Sequence, residues 1–184
     1  MVPPCRAGIG QRYPKMEHSV VVMGVAGCGK SSLGAALARA EGAALIEGDE
    51  HHSAASLEKM QRGIPLSDAD RQGWLDALAA ELRARPRDAV LTCSALKRAY
   101  RERLRAAAPG LRFVYMEIDP AAARARIEAR RDSHFFSPAL VDSQFATLES
   151  PVGEPGVLRV DALAPLTQLQ AEVSAWLRRD EVRA

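Results

Sequence analysis

The sequence predicts an α/β fold with an open, mainly parallel sheet of five strands. Short apolar runs alternate with helical segments along the chain, which is typical of parallel strands joined by helical crossovers. The first run, SVVVM at 19–23, is apolar on both faces, as expected for a strand buried in a parallel sheet. A length of 184 residues fits one core, so we expect a single domain over residues 16–184.

Each element is predicted from its own pattern. Strands are expected where apolar and β-branched residues run together, at 19–23, 43–49, 89–95, 111–119 and 157–162. Helices are expected where apolar residues recur at helical spacing, at 30–41, 97–107, 121–131, 166–179 and after a cap at Ser67 or Asp68. The capped helix carries Trp74, Leu75, Leu78 and Leu82 on one stripe. Residues 132–155 are predicted as a long irregular insert, and residues 1–15, which have no periodicity, as a disordered extension.

The composition excludes several classes of protein. With 25 Lys and Arg against 23 Asp and Glu, the net charge of +2 argues against a generally basic nucleic-acid binder. No apolar run approaches the roughly 20 residues of a membrane-spanning helix. The three cysteines are widely spaced and odd in number, which favours free thiols in a reducing compartment. We therefore predict a cytoplasmic protein with no nucleic-acid or membrane partner.

A glycine-rich loop follows the first predicted strand. GVAGCGKSS at 24–32 contains the P-loop pattern GxxxxGK[ST] between a strand and a helix. Glycines let backbone amides point inward and the helix N-terminus adds positive potential, so a polyphosphate fits there. Lys30 is expected to reach the β and γ phosphates and Ser31 to bind Mg²⁺. A plain glycine turn is the alternative. The predicted nucleotide-binding residues of this loop are Gly24, Val25, Ala26, Gly27, Cys28, Gly29, Lys30, Ser31 and Ser32.

Two acidic residues end the second predicted strand. In a doubly wound sheet, Glu47 and Asp49 lie beside the glycine loop. Asp49 is placed to act as a base toward an acceptor hydroxyl, and Glu47 to hold Mg²⁺ through water. The third strand, AVLTCSA, ends without the Asp that a motor or GTPase has there. A pair of solvated loop acids is the alternative.

Basic residues follow both strands. Lys59 and Arg71 come after Asp49, and Lys97 and Arg101 come after the third strand on one helical face. An anionic acceptor needs such groups, because a buried carboxylate without a charged partner is costly. A solvated basic helix is the alternative for the second pair.

Five segments of the chain together resemble the gluconokinase family of small P-loop sugar-acid kinases. They are MGVAGCGKSS, EGDEHHSAASLEKMQRGIPLSDADRQGWL, CSALKRAYRERLR, HFFSPALVDSQFATLE and VLRVDA, within about residues 18–178. The resemblance implies a P-loop fold of the three-layer nucleoside-monophosphate-kinase type, with a mobile lid at about 130–155. It also implies phosphorylation of D-gluconate at its 6-hydroxyl by ATP with Mg²⁺, giving ADP and 6-phospho-D-gluconate for pentose phosphate or Entner-Doudoroff metabolism. Members of the family are often homodimers, which leaves a homodimer open here.

The resemblance and the residue chemistry together suggest roles for individual side chains. Catalysis is expected from Lys30, Asp49 and Arg130, with Arg126 and Arg130 also contacting ATP. The predicted substrate-binding residues are Asp49, His52, Lys59, Arg71, Lys97, Arg101 and His134. An exposed basic helix face is the alternative for the lid arginines, and a structural histidine is the alternative for His134.

Two other functions are weighed against this one. A related kinase acting on shikimate or a nucleoside monophosphate would share the P-loop and the lid. A nucleotide-binding regulator without catalysis would share the fold, although the intact Lys30, Asp49 and Lys97 argue against it.

Overall fold

A five-stranded sheet runs through the protein, whose computed structural model describes residues 16–129 and 138–179. The strands are β1 (Val20–Met23), β2 (Ala44–Glu47), β3 (Ala89–Cys93), β4 (Arg112–Glu117) and β5 (Val157–Asp161). They lie in the order β2-β3-β1-β4-β5, and every neighbouring pair is parallel. The predicted α/β class, with its parallel sheet, is confirmed.

Helices connect the strands. They are α1 (Lys30–Glu41), α2 (Ala54–Gln61), α3 (Asp68–Ala84), α4 (Arg98–Ala107), α5 (Pro120–Glu128), α6 (Pro138–Thr147) and α7 (Leu166–Arg179), with a short 3-10 turn at Gly48–His51. The prediction of an irregular insert over 132–155 is wrong for α6. That helix forms because Leu140 and Val141 are buried, at 4% and 0% exposure, in a tertiary setting that sequence periodicity does not reveal.

The sheet is covered on both faces, which gives three layers. Alternate residues of β1 point to opposite sides, so Val20 and Val22 join one apolar cluster and Val21 and Met23 join the other. The first cluster includes residues of α1 and α7, and the second includes residues of α3 and α4. The predicted stripe of α3, formed by Trp74, Leu75, Leu78 and Leu82, is buried in the second cluster, as expected.

The start of α3 has the cap that the sequence predicts. Ser67 is the N-cap, its hydroxyl accepts a hydrogen bond from the Asp70 amide, and the Asp70 carboxylate accepts one from the Ser67 amide. This reciprocal capping box fixes the direction in which α3 leaves the preceding loop.

The chain between α6 and β5 is attached to α4. The Glu149 amide donates to the Leu96 carbonyl at 2.9 Å, and the Glu154 carboxylate binds Arg101 and Arg105. Arg101 is fully buried, at 0% exposure. The chain at Glu149 and Glu154 is therefore held against the body of the protein. Residues 130–137 of the predicted lid lie outside the described residues, so lid movement stays a prediction.

No helix within residues 16–129 and 138–179 combines the length and the apolar character needed to cross a membrane.

Replacing Glu154 by Ala should lower the free energy of unfolding by about 3 kcal/mol, because it leaves the buried Arg101 guanidinium without its counter-charge. Urea unfolding followed by circular dichroism measures this. The matched control is Glu102→Ala, which removes an exposed partner of Arg105 and should cost less than about 0.5 kcal/mol. Equal, small losses for the two variants would contradict this account of the buried ion pair.

Candidate active site

The glycine-rich loop joins β1 to α1 at the carboxyl edge of the sheet. Gly24, Gly27 and Gly29 have φ values of 145°, 83° and 100°, which other residues rarely adopt. A Cβ on Gly27 would also lie 2.8 Å from the Ala123 carbonyl oxygen of α5. Gly29 is the N-cap of α1 and provides no capping side chain, so the first amides of that helix are available to an anion. This is the strand–loop–helix arrangement that the P-loop pattern predicts.

An open cleft of about 340 Å³ lies over this loop. Its wall is lined by Ala26, Gly27, Gly29, Lys30, Ser31, Ser32, Asp49, His52, Leu57, Met60, Gln61, Arg71, Ser94, Ile127 and Gln144. This volume lies at the lower end of the roughly 300–1000 Å³ that is usual for ligand pockets, so the cleft is of a size to bind a small molecule against the P-loop.

Two polar P-loop side chains have protein partners at the edge of this cleft. The Lys30 ammonium donates to the Val25 carbonyl at 3.1 Å, which keeps it folded over the loop. The Ser31 hydroxyl donates to Glu47 Oε2 at 3.1 Å. Glu47 comes from β2, so the structure brings together the two residues predicted to hold Mg²⁺.

Hydroxyl and carboxylate oxygens are the protein ligands that Mg²⁺ prefers, so Ser31 and Glu47 fit that ion. Within the described residues, no group of three His, Cys, Asp or Glu side chains is arranged to hold a metal. A metal at Ser31 would therefore need further oxygens from a nucleotide phosphate, as is usual for Mg²⁺ in kinases.

The turn after β2 is fixed by close contact with β3. A Cβ on Gly48 would lie 2.2 Å from the Thr92 carbonyl oxygen, so only glycine fits there. The buried Trp74 indole donates to the Gly48 carbonyl at 2.7 Å. These two contacts hold the next residue, Asp49, with its exposed side chain on the cleft wall.

His52 lies against the same tryptophan. The two rings are stacked with centroids 4.6 Å apart and planes at 8°. Burial lowers the pKa of His52 below the ordinary value of 6.5, against an opposing effect of the Asp49 carboxylate. His52 Nδ1 is buried and has no hydrogen-bond partner in the described parts of the chain. The ring is therefore neutral at pH 7 and has an unused polar atom at the cleft.

The predicted cationic residues fall into two groups, those with acidic partners and one without. Lys59 binds Asp70 at 2.6 Å and Lys97 binds Asp68 at 2.7 Å, and neither lysine lines the cleft. Arg71 lines the cleft at 9% exposure and forms no hydrogen bond or ion pair within residues 16–129 and 138–179. Its guanidinium carbon lies 5.9 Å from the centroid of the Tyr100 ring.

Arg101 is placed in the protein interior rather than in the cleft where substrate contact was expected. Its Nη1 donates to the carbonyls of Ala95 and Leu96, and its other nitrogens bind Glu154. The predicted shared helical face brings neither Lys97 nor Arg101 to the cleft wall. Lys97 is the N-cap of α4 with extended backbone and lies ahead of the first turn, so it is not on the helical face of Arg101.

The predicted arginines that lead into the lid are described only in part. Arg126 Nη1 donates to the Cys28 carbonyl at 3.2 Å, so α5 supports the glycine loop from outside the cleft. Arg130 and His134 lie outside the described residues, and their expected contacts with phosphate and substrate stay predictions.

Three residues of the site were not singled out as functional from the sequence. Gln144 of α6 accepts a hydrogen bond from the Ala26 amide at 2.7 Å, and no local signal indicates this long-range contact. Trp74 was expected to be a core residue only. Thr92 donates to Glu47 Oε2, and a polar residue within the apolar strand AVLTC was a signal that could have marked it.

Known proteins resemble this chain over most of its length. Residues 20–151 match the AAA domain family. The thermoresistant gluconokinase of Escherichia coli (strain K12) is 40% identical over 167 residues, covering 89% of this chain and 95% of that protein. The crystal structure of a gluconokinase from Sinorhizobium meliloti 1021 has a TM-score of 0.82 and 43% identity, covering 90% of this chain and 94% of that one. The shikimate kinase of Aquifex aeolicus is similar in fold alone, with a TM-score of 0.55, 12% identity, and coverage of 90% and 99%.

The His52 imidazole should titrate below pH 6.5, because burial disfavours its charged form. The unfolded chain then binds this proton more readily, so the contribution of His52 to stability decreases as the pH falls through 6.5. An NMR pH titration of the imidazole carbon-bound protons, assigned with His52→Gln, measures the midpoint. A midpoint at or above 6.5 would show that the ring is not desolvated as described.

Proposed function

The chain belongs to the gluconokinase family, and we propose that it transfers the γ-phosphoryl group of ATP to the 6-hydroxyl of D-gluconate. The products are ADP and 6-phospho-D-gluconate, and Mg²⁺ accompanies the nucleotide. The observation that carries the proposal is one cleft whose wall includes the P-loop together with both Asp49 and Arg71.

The P-loop end of the cleft suits the phosphates of ATP. The amides at the start of α1 and the Lys30 ammonium offer positive charge to the transferring group. Ser31 and Glu47 would hold Mg²⁺, which supplies further charge neutralisation at the phosphates when it is bound.

Arg71 suits the carboxylate of gluconate. A guanidinium binds a carboxylate through two parallel hydrogen bonds, and burial strengthens the pairing. Lys59 and Lys97 already have carboxylate partners, whereas Arg71 has none among the described residues. We therefore assign the carboxylate to Arg71, while the charges of the two lysines are already neutralised by Asp70 and Asp68.

Asp49 suits the hydroxyl at the other end of the sugar acid. Its carboxylate lies on the cleft wall and can accept the hydroxyl proton as the oxygen attacks phosphorus. The neutral His52 ring offers Nδ1 to one of the remaining substrate hydroxyls. Closure of the predicted lid, with Arg130 and His134, would exclude water that competes for the phosphoryl group.

A different acceptor is the main competing function. Shikimate kinases have the same fold at 12% identity, so fold alone does not separate the acceptors. A flexible sugar acid differs from shikimate and from a nucleoside monophosphate in length and shape, so comparing the three acceptors separates these functions.

In a coupled assay of ADP formation, D-gluconate should give a far higher kcat/KM than shikimate or AMP. Asp49→Asn should lower kcat with gluconate by about 10²- to 10⁴-fold while ATP binding is retained, because only the proton acceptor is removed. Isothermal titration calorimetry measures the ATP affinity of each protein.

The matched control is Glu50→Gln, which neutralises the neighbouring exposed acid of the same turn and should leave turnover unchanged. Equal or better activity with shikimate or AMP would refute the choice of acceptor. Unchanged turnover in Asp49→Asn would remove Asp49 from the base role.

Arg71→Met should raise the KM for D-gluconate by at least about tenfold and leave the KM for ATP within about twofold, because it removes the carboxylate partner alone. The variant should also lose most of the preference for gluconate over D-glucitol, the neutral polyol without the carboxylate. Arg62→Met, at an exposed position beyond α2, is the control. An unchanged preference for gluconate would place the carboxylate elsewhere.

A further inference from the structure

Strand β3 ends beside the P-loop without an acidic residue. Its sequence is AVLTC, and Thr92 is the polar residue in it, at 3% exposure. The carboxylate that is hydrogen-bonded to the P-loop serine instead comes from β2, with Glu47 Oε2 3.1 Å from the Ser31 hydroxyl.

The strand order makes the contact between Glu47 and Ser31 unusual, because β2 and the strand before Ser31 are not neighbours. β3 lies between β2 and β1, so β2 is about 10 Å from the strand that leads into the P-loop. Glu47 must extend across the end of β3 to meet Ser31. Thr92 is the residue of β3 in register with Glu47, and it therefore lies beneath the path of that side chain.

The Thr92 side chain is held in one orientation. Its methyl group faces α1 at Gly34, where an added Cβ would lie 2.5 Å from Thr92 Cγ2. A β-branched side chain has few χ1 states, and the close approach of α1 to the methyl group restricts them further. That hydroxyl donates to Glu47 Oε2.

Two hydroxyl groups, those of Ser31 and Thr92, therefore donate to the same carboxylate oxygen of Glu47. Glu47 Oε1 accepts no hydrogen bond from the residues that the structure describes. By donating its proton to Glu47, Ser31 keeps its oxygen lone pairs available to a cation. Glu47 is thus held through Oε2, and its Oε1 is available to a cation.

We propose that Thr92 is a positioning residue for the metal subsite, holding the Glu47 carboxylate across β3 so that it completes the Mg²⁺ site at Ser31. The proposal rests on the proposed use of ATP with Mg²⁺. In it, β2 contributes the carboxylate of the metal subsite, and β3 contributes the hydroxyl that holds this carboxylate. Thr92 is not among the residues that line the cleft, and it acts through Glu47.

The test measures metal binding in the absence of the acceptor. Binding of Mn²⁺ to the complex of the full chain with ATP is followed by electron paramagnetic resonance. Thr92→Val keeps the shape of the side chain and removes the hydroxyl, and it should weaken Mn²⁺ binding roughly tenfold or more. Thr92→Ser keeps the hydroxyl and should stay within about threefold of wild type. Metal-free ATP affinity should be unchanged in both, which shows that the P-loop is folded.

A double-mutant cycle with Glu47→Gln separates positioning from a general structural effect. In the Glu47→Gln background, Thr92→Val should cause little further loss of Mn²⁺ affinity, because the group it positions is already changed. Wild-type Mn²⁺ affinity in Thr92→Val, or the same fold-loss in both backgrounds, would overturn the proposal. Since gluconate is absent from the assay, its result is independent of whether gluconate is the acceptor.

Discussion

The close approach of Gly48 to β3 is the constraint on which the site depends. A side chain at Gly48 would meet the Thr92 carbonyl at 2.2 Å, so the turn after β2 lies directly against the end of β3. Because of that contact, Glu47 reaches the P-loop serine and Asp49 reaches the cleft, although β2 is the edge strand of the sheet. Trp74 adds a buried hydrogen bond to the same glycine and a stacking surface for His52.

The basic residues around the cleft differ in whether they have an acidic partner. Asp68 and Asp70 lie in the first turn of α3, where their negative charges interact favourably with the positive end of the helix dipole. Asp68 also binds Lys97, and Asp70 binds Lys59. Hydrogen bonds from Lys59 and then from Ser67 lower the pKa of Asp70 to about 2, so the pair of Lys59 and Asp70 persists well into acid conditions. These aspartates neutralise the charges of the two lysines, whereas Arg71 lines the cleft without such a partner among the described residues and can bind an incoming anion. In the proposed reaction, that difference orients the sugar acid with its carboxylate at Arg71 and its terminal hydroxyl toward Asp49.

The sequence predicted what local patterns determine and missed what tertiary contacts determine. The β1–loop–α1 unit was predictable because the P-loop pattern specifies its own backbone, and the buried strands because they are apolar on both faces. Helix α6 was not, since its formation depends on burial of Leu140 and Val141. A helical-face argument placed Arg101 with Lys97, but spacing cannot distinguish a cleft from the interior. The pairing of Thr92 with Glu47 required the strand order and register, which no single strand contains.

The most direct test of the central claim is the chemical structure of the product formed from ATP and D-gluconate. ³¹P and ¹³C NMR of that product should show phosphorus coupled to C6, with one ADP formed for each gluconate consumed. This follows if Arg71 holds the carboxylate and Asp49 activates the hydroxyl at the opposite end. Phosphorus coupled to another carbon, or ADP and inorganic phosphate without a phosphorylated sugar acid, would contradict the proposed arrangement of the cleft.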